Sequence, residues 1–219
     1  MSAKLWAEIG LGIYETFYMT LASTLLGYVI GLPLGVILII TRRDGIRQNL
    51  AVNQVLGVIV NIMRSIPFLI LMIAIIPFTR FVMGKSHGST ATIVPLTMAA
   101  FPFISRMVES SLAEVDGGVI EAAQAMGATP LQIIRKVYIP EATPSLISGA
   151  AIVATNILGY SAMAGSVGGG GLGAIAINYG YYRFNAEVMV VCIAIMVVLV
   201  QAMQLVGTRL SVQLDHRLR

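Results

Sequence analysis

Residues 106–141 form the longest polar segment of this 219-residue chain. Glu109, Glu114, Asp116 and Glu121, four of its ten acidic residues, lie there before the segment's last position. Asp116 suits a helix N-cap, because its carboxylate can accept from the free N–H groups of a first turn. The expected helix runs through Glu121-Ala122-Ala123 and stops at Gly127, which tolerates the left-handed turn that ends helices. Thr129-Pro130-Leu131-Gln132 then opens a second helix, with Thr as cap, Pro at the first helical position and Gln placed for a capping box. Pro140 is read as its end. On the first helix Val119, Ala122, Ala123 and Met126 share one side, and the small alanines let another surface approach closely. The chemistry on offer is docking against a second protein.

The other reactive residue types do not assemble into a site. His87 and His216 are far apart and lack ligand spacing, and Cys192 sits inside an apolar run as a small hydrophobe. No catalytic set and no metal site is expected. Gly84-Lys85-Ser86 resembles the end of a phosphate loop, but Thr79 stands where the first glycine is required. Residues 168–173 contain a G-x-G-x-x-G pattern without the preceding strand a dinucleotide site needs, and read as a flexible turn. Arg64 is the one charge near span depth. It is either functional, as intramembrane charges are by default, or snorkelling to the interface near the start of its span. Met163 is a lone bulky side chain among Ser161, Ala162, Ala164 and Gly165. As one of a pair it could plug a narrow path; alternatively it packs.

The elements that must carry these residues follow from composition. Hydrophobic residues make up 57% and charged residues 11%, whereas soluble domains carry roughly 25% charge. A helix needs about 20 apolar residues to cross the hydrocarbon core. Five such stretches are expected, over residues 17–40, 58–79, 88–105, 143–165 and 188–208. Residues 1–16 contain Lys4, Glu8 and Glu15, so they lack a signal-peptide core and read as an external interfacial segment anchored by Trp6. Residues 209–219 form a tail. The net charge of +4 comes without the basic stripe that nucleic acid requires. Nine Lys or Arg residues fall on the side of the 106–141 loop and four on the other, with Arg64 left out. That bias puts the N-terminus outside and the C-terminus in the cytoplasm.

Glu121-Ala122-Ala123, three residues, Gly127, nine residues and then Val137-Tyr138-Ile139-Pro140 resembles the EAA signature of ABC-importer permeases. Val137 and Ile139 stand in for the family's Ile and Leu. The likeness extends to Arg64-Ser65-Ile66-Pro67-Phe68, to the run from Gly159 through Tyr160, Ser161 and Met163 to Gly165, and to residues 168–173. These look like segments of methionine-uptake permeases.

The resemblance implies an all-α integral membrane protein of the type I ABC-importer permease fold, with five transmembrane helices and a cytoplasmic two-helix coupling loop. Glu121, Ala122, Ala123, Gly127 and Pro140 would belong to the loop that docks on an ATPase. Arg64, Tyr160, Ser161 and Met163 are candidates for the pathway or gate. The implied partners are a second copy of the chain, two ATP-binding subunits carrying ATP and magnesium, an external substrate-binding protein and membrane lipid. No cofactor is expected on this chain. The expected role is a non-enzymatic permease importing methionine across a bacterial inner membrane. The alternatives are another amino acid or small solute, or an ion-coupled secondary transporter. The last normally places carboxylates within its spans, whereas the acidic residues here fall in loops or at span edges.

Overall fold

The computed structural model describes residues 3–214, and among these every regular element is helical. Helix α1 (Ala3–Thr41) is followed by α2 (Leu50–Ser65), the short α3 (Phe68–Ala74) and α4 (Ile76–Met83). Next come α5 (Ser89–Ala113), the loop helices α6 (Gly117–Ala125) and α7 (Pro130–Ile133), α8 (Ile139–Ala164), α9 (Gly171–Ile175) and α10 (Ala186–Leu214). Four helical stretches are long and apolar enough to cross a membrane: α1, α5, the continuous run Pro130–Val167 and α10. The bent pair α2–α3 makes a fifth if counted as one span.

The bundle is built on the packing of α1 against α5. Gly27, Gly31 and Gly35 recur every four residues along α1 and present one bare face. A Cβ on Gly31 would lie 2.7 Å from the Ile104 side chain and 2.8 Å from the Phe101 carbonyl oxygen. In lipid, helices associate through such close approach, because hydrocarbon offers no hydrophobic drive between them. Ala100, Ile104 and Val108 of α5 are buried against this face together with Met19 of α1. Hydroxyls tie the remaining spans. Ser145 of α8 bonds Ser111 of α5 at 3.0 Å, and Ser211 of α10 bonds Ser148 at 2.9 Å and the Pro144 carbonyl at 2.7 Å.

Several elements differ from the sequence expectation. Residues 3–16 are continuous with the first span: α1 is unbroken from Ala3. Its 39 residues reach about 58 Å, nearly twice the thickness of a hydrocarbon core of about 30 Å. Span two is not one straight helix over 58–79. It begins at Leu50, turns through 99° at Ile66-Pro67 and breaks again at Ile75. Proline supplies no N–H and drives the residue before it into extended backbone, and Ile66 adopts φ −77°, ψ 122°.

Span three continues past 105 to Ala113, so Arg106 and Glu109 belong to a helix. Their ion pair is 2.6 Å long, and Arg106 also donates to the Gly57 carbonyl of α2 at 3.0 Å. Pro140 does not end the second loop helix. The chain stays helical from Pro130 into α8, and one π-turn over Ile134–Tyr138 absorbs the missing donor. The expected tail is helical through Leu214, whereas His216, Arg217 and Arg219 lie outside the described residues.

Candidate functional site

Two regions gather the candidate residues, one at each end of α8. At the first, α6 and α7 form a compact knob closed by local hydrogen bonds. The Asp116 carboxylate accepts from the Gly118 N–H at 2.7 Å. At the other end of α6 the Gly127 N–H donates to the Gln124 carbonyl and the Ala128 N–H to the Ala123 carbonyl, the paired bonds of a Schellman turn. Gly127 sits at φ +79°, where an L side chain is strained. Thr129 and Gln132 then complete the capping box: Gln132 Oε1 accepts from the Thr129 N–H at 2.7 Å, and Thr129 Oγ1 accepts from the Gln132 N–H at 3.4 Å.

The side shared by Val119, Ala122, Ala123 and Met126 divides on folding. Ala123 turns inward and joins the buried cluster that also holds Val115, Ile133 and Tyr138, while Glu121 and Ala122 stay exposed and Met126 keeps 81% of its surface in the open. The knob is thus fastened from beneath by one alanine and offers an apolar, singly acidic face above. Pro140 is exposed at its base.

The far end of α8 holds the second region. Tyr160 stacks on Phe68 of α3, with ring centroids 4.7 Å apart. Arg64, in the last turn of α2, lies over the Phe103 ring of α5 at 5.9 Å. These four side chains line one cavity of about 230 Å³. The expectation that placed Arg64 near the loop end of its span is corrected here. Because α2 starts at Leu50, Arg64 stands about 21 Å along it, and Tyr160 is about 31 Å from the start of α8. Arg64 therefore sits at the far end of α2, directly before the helix break and on the wall of the cavity. Of the other candidates, Ser161 is buried and spends its hydroxyl on the Leu158 carbonyl at 2.7 Å. Met163 does not line this cavity; it lies one turn further along α8 and is 53% exposed.

Sequence reasoning missed a third set of residues beyond α8. The run 168–173 is pinned rather than loose. Glu15 of α1 accepts from the Gly171 N–H at 2.7 Å and from the Ser89 hydroxyl at 3.3 Å. Thr16 Oγ1 accepts from the Leu172 N–H at 2.9 Å, and the Gly88 N–H donates to the Gly168 carbonyl at 2.8 Å. Gly168, Gly170 and Gly171 all have positive φ, which is the conformation these bonds need. Nearby, Tyr179 donates to the Glu8 carboxylate, which raises its phenol pKa above the ordinary value, and the Arg183 guanidinium lies 4.4 Å from the Tyr179 ring centroid. The signal for this clamp was a carboxylate at Glu15, at the edge of the uncharged run that begins at Thr16.

A compact two-helix knob joined by one continuous helix to a cavity beside a broken span suits a transport protein of the membrane. Over residues 19–219 the chain matches the family of binding-protein-dependent transport system inner membrane components, and it belongs to that family. A Vibrio cholerae serotype O1 protein named probable D-methionine transport system permease protein MetI is 50% identical over 204 residues, covering 93% of this chain and 91% of its own. The Escherichia coli K12 protein named D-methionine transport system permease protein MetI is 53% identical over 154 residues, covering 70% and 71%. Among solved structures, the inward-facing MetNI methionine ABC transporter superposes with a TM-score of 0.97 at 48% identity, covering 99% of this chain and 100% of that one. An amino acid ABC transporter crystallised with histidines is 19% identical with a TM-score of 0.79 and shares the fold. The architecture is the type I ABC-importer permease fold.

Proposed function

We propose that this chain is the permease subunit of an ATP-driven importer that carries methionine across the bacterial inner membrane. The observation that carries the reading is the docking knob, a Schellman turn and a capping box presenting Glu121 and Ala122 at the head of the helix that reaches Tyr160. The full-length likeness to a methionine ABC transporter supports the cargo. The chain works as a homodimer, since one copy has too few spans to enclose a path. Two ATP-binding subunits hold ATP and magnesium and receive the knob formed by Glu121, Ala122, Ala123 and Gly127, with Pro140 at its base, so hydrolysis is theirs and not this chain's. An external binding protein delivers substrate, and lipid surrounds the spans. The knob lies in the cytoplasm with the C-terminus, and the N-terminus lies outside.

Closure of the ATPases on ATP biases a two-state helical assembly, exposing the path alternately to each side. Arg64 and Tyr160 line that path, and Ser161 bonds the Leu158 carbonyl within the turn of α8 that bears Tyr160. In this reading the exposed Met163 pairs with its counterpart in the second copy as part of the gate.

The test is uptake of labelled methionine by cells carrying this chain with its native partners, beside a Glu121→Lys/Gly127→Asp variant. ATP-dependent uptake that methionine competes and the variant abolishes is expected. ATP-dependent uptake of another solute, with methionine inert, would remove the cargo. Uptake indifferent to ATP and to the variant would remove the mechanism.

A further inference from the structure

We propose that the cavity beside Arg64 is a transit subsite for a zwitterionic amino acid with an apolar side chain, its carboxylate held by Arg64. The inference rests on the import reading above and adds the chemistry by which the path recognises its cargo.

Arg64 supplies the first argument. The ion pairs found among the described residues use Arg42 and Arg106, not Arg64. A guanidinium carried by an apolar, broken helix pair, on a cavity wall and without a carboxylate, marks a substrate or ion path by default. Phe103 holds the cation over its ring face. The N–H fork remains free to grip a carboxylate with two parallel bonds, geometry that a lysine lacks.

The break in the span supplies the second. Helix α2 stops at Ser65, beside the cavity. The carbonyls of its last turn carry the negative end of a 16-residue helix, a place for an ammonium next to the Arg64 cation. Broken helices serve charged substrates in this way where backbone lines a cavity.

The walls supply the third. Phe68, Phe103 and Tyr160 give ring faces and edges that suit an aliphatic or thioether side chain. The volume of about 230 Å³ equals that of about eight waters at ~30 Å³ each, the scale of one small amino acid and not of a peptide.

The experiment uses the complete complex in nanodiscs and a diazirine analogue of methionine with free amino and carboxyl groups. Crosslinks are mapped by mass spectrometry. Labelling is expected on peptides carrying Met63, Phe68 and Phe103, competed by methionine, and at least tenfold less well by methionine amide. Arg64→Gln should lower labelling at least tenfold, and Arg64→Lys should retain part of it. Label confined to lipid-facing peptides, or equal competition by the amide, would overturn the subsite. If Arg64→Gln fails to assemble on size exclusion, the amide comparison on the unchanged complex still decides. Uptake by the unchanged complex, reconstituted into sealed proteoliposomes, separates the two readings. Uptake without cavity labelling sinks the subsite and leaves import standing, whereas absence of methionine uptake sinks the cargo and the subsite with it.

Discussion

Phe68 and Tyr160 stack with their planes 7° from parallel and their centroids 4.7 Å apart, and this contact fastens the break in α2–α3 to the end of α8 remote from the docking knob. Because the chain is helical from Pro130 to Val167, the stack is the contact through which a displacement at the knob is expected to reach Phe68. Tyr160→Ala removes a stacked pair worth about 0.5–1.5 kcal/mol beyond its buried area. Uptake per ATP hydrolysed by the complex should fall about two- to tenfold, and Tyr160→Phe should retain it. Equal loss in both variants would show that the hydroxyl, not the stack, is what matters.

Gly127 tests the knob itself. Its φ of +79° costs an ordinary L residue roughly 1–2 kcal/mol, whereas asparagine visits this region readily. Gly127→Val should lower the amount of ATPase subunit that co-purifies with the permease and reduce uptake with it. Gly127→Asn should stay near the parent. Both are read from the subunit ratio on a gel alongside uptake.

Gly31 tests the central packing. A Cβ there would press on Ile104 and on the Phe101 carbonyl, and overpacking of this kind costs about 1–3 kcal/mol. The thermal midpoint of the solubilised complex should drop for Gly31→Ala. Gly10→Ala is the matched control, because nothing lies within 4 Å of a Cβ at that position, and its midpoint should hold or rise, alanine being the better helix former.

Glu15 tests the clamp at the far end of the bundle. Its carboxylate takes a charge-assisted bond from the Gly171 N–H, a class worth about 1.5–3 kcal/mol. Glu15→Ala should speed hydrogen exchange at the Gly171 and Leu172 amides, and Glu15→Gln should speed it less. Exchange unaltered in both variants would mean that Thr16 and the bonds from Gly88 hold the run alone.

The sequence by itself determined the class of molecule, the docking knob and most of the spans. Those properties are local: an apolar run, a proline after a threonine and a glycine after a short helix each act on their immediate neighbours. Asp116, Gly127, Thr129 and Gln132 all make the bonds their types and spacing call for. The glycines Gly27, Gly31 and Gly35 take their meaning only from the partner helix that packs on them. Tertiary structure decided what depends on distant pairs. Glu15 meets Gly171 across 156 positions, and no periodicity announces that. Pro140 was read as a stop because a ring without an N–H ends an isolated helix, yet packing of the long helix outweighs one lost bond and a π-turn absorbs it. Arg64 joined the cavity for a related reason. Its place is set by where α2 begins and by the 99° turn at Pro67, and its neighbours Phe103 and Tyr160 come from helices that only the folded bundle brings together.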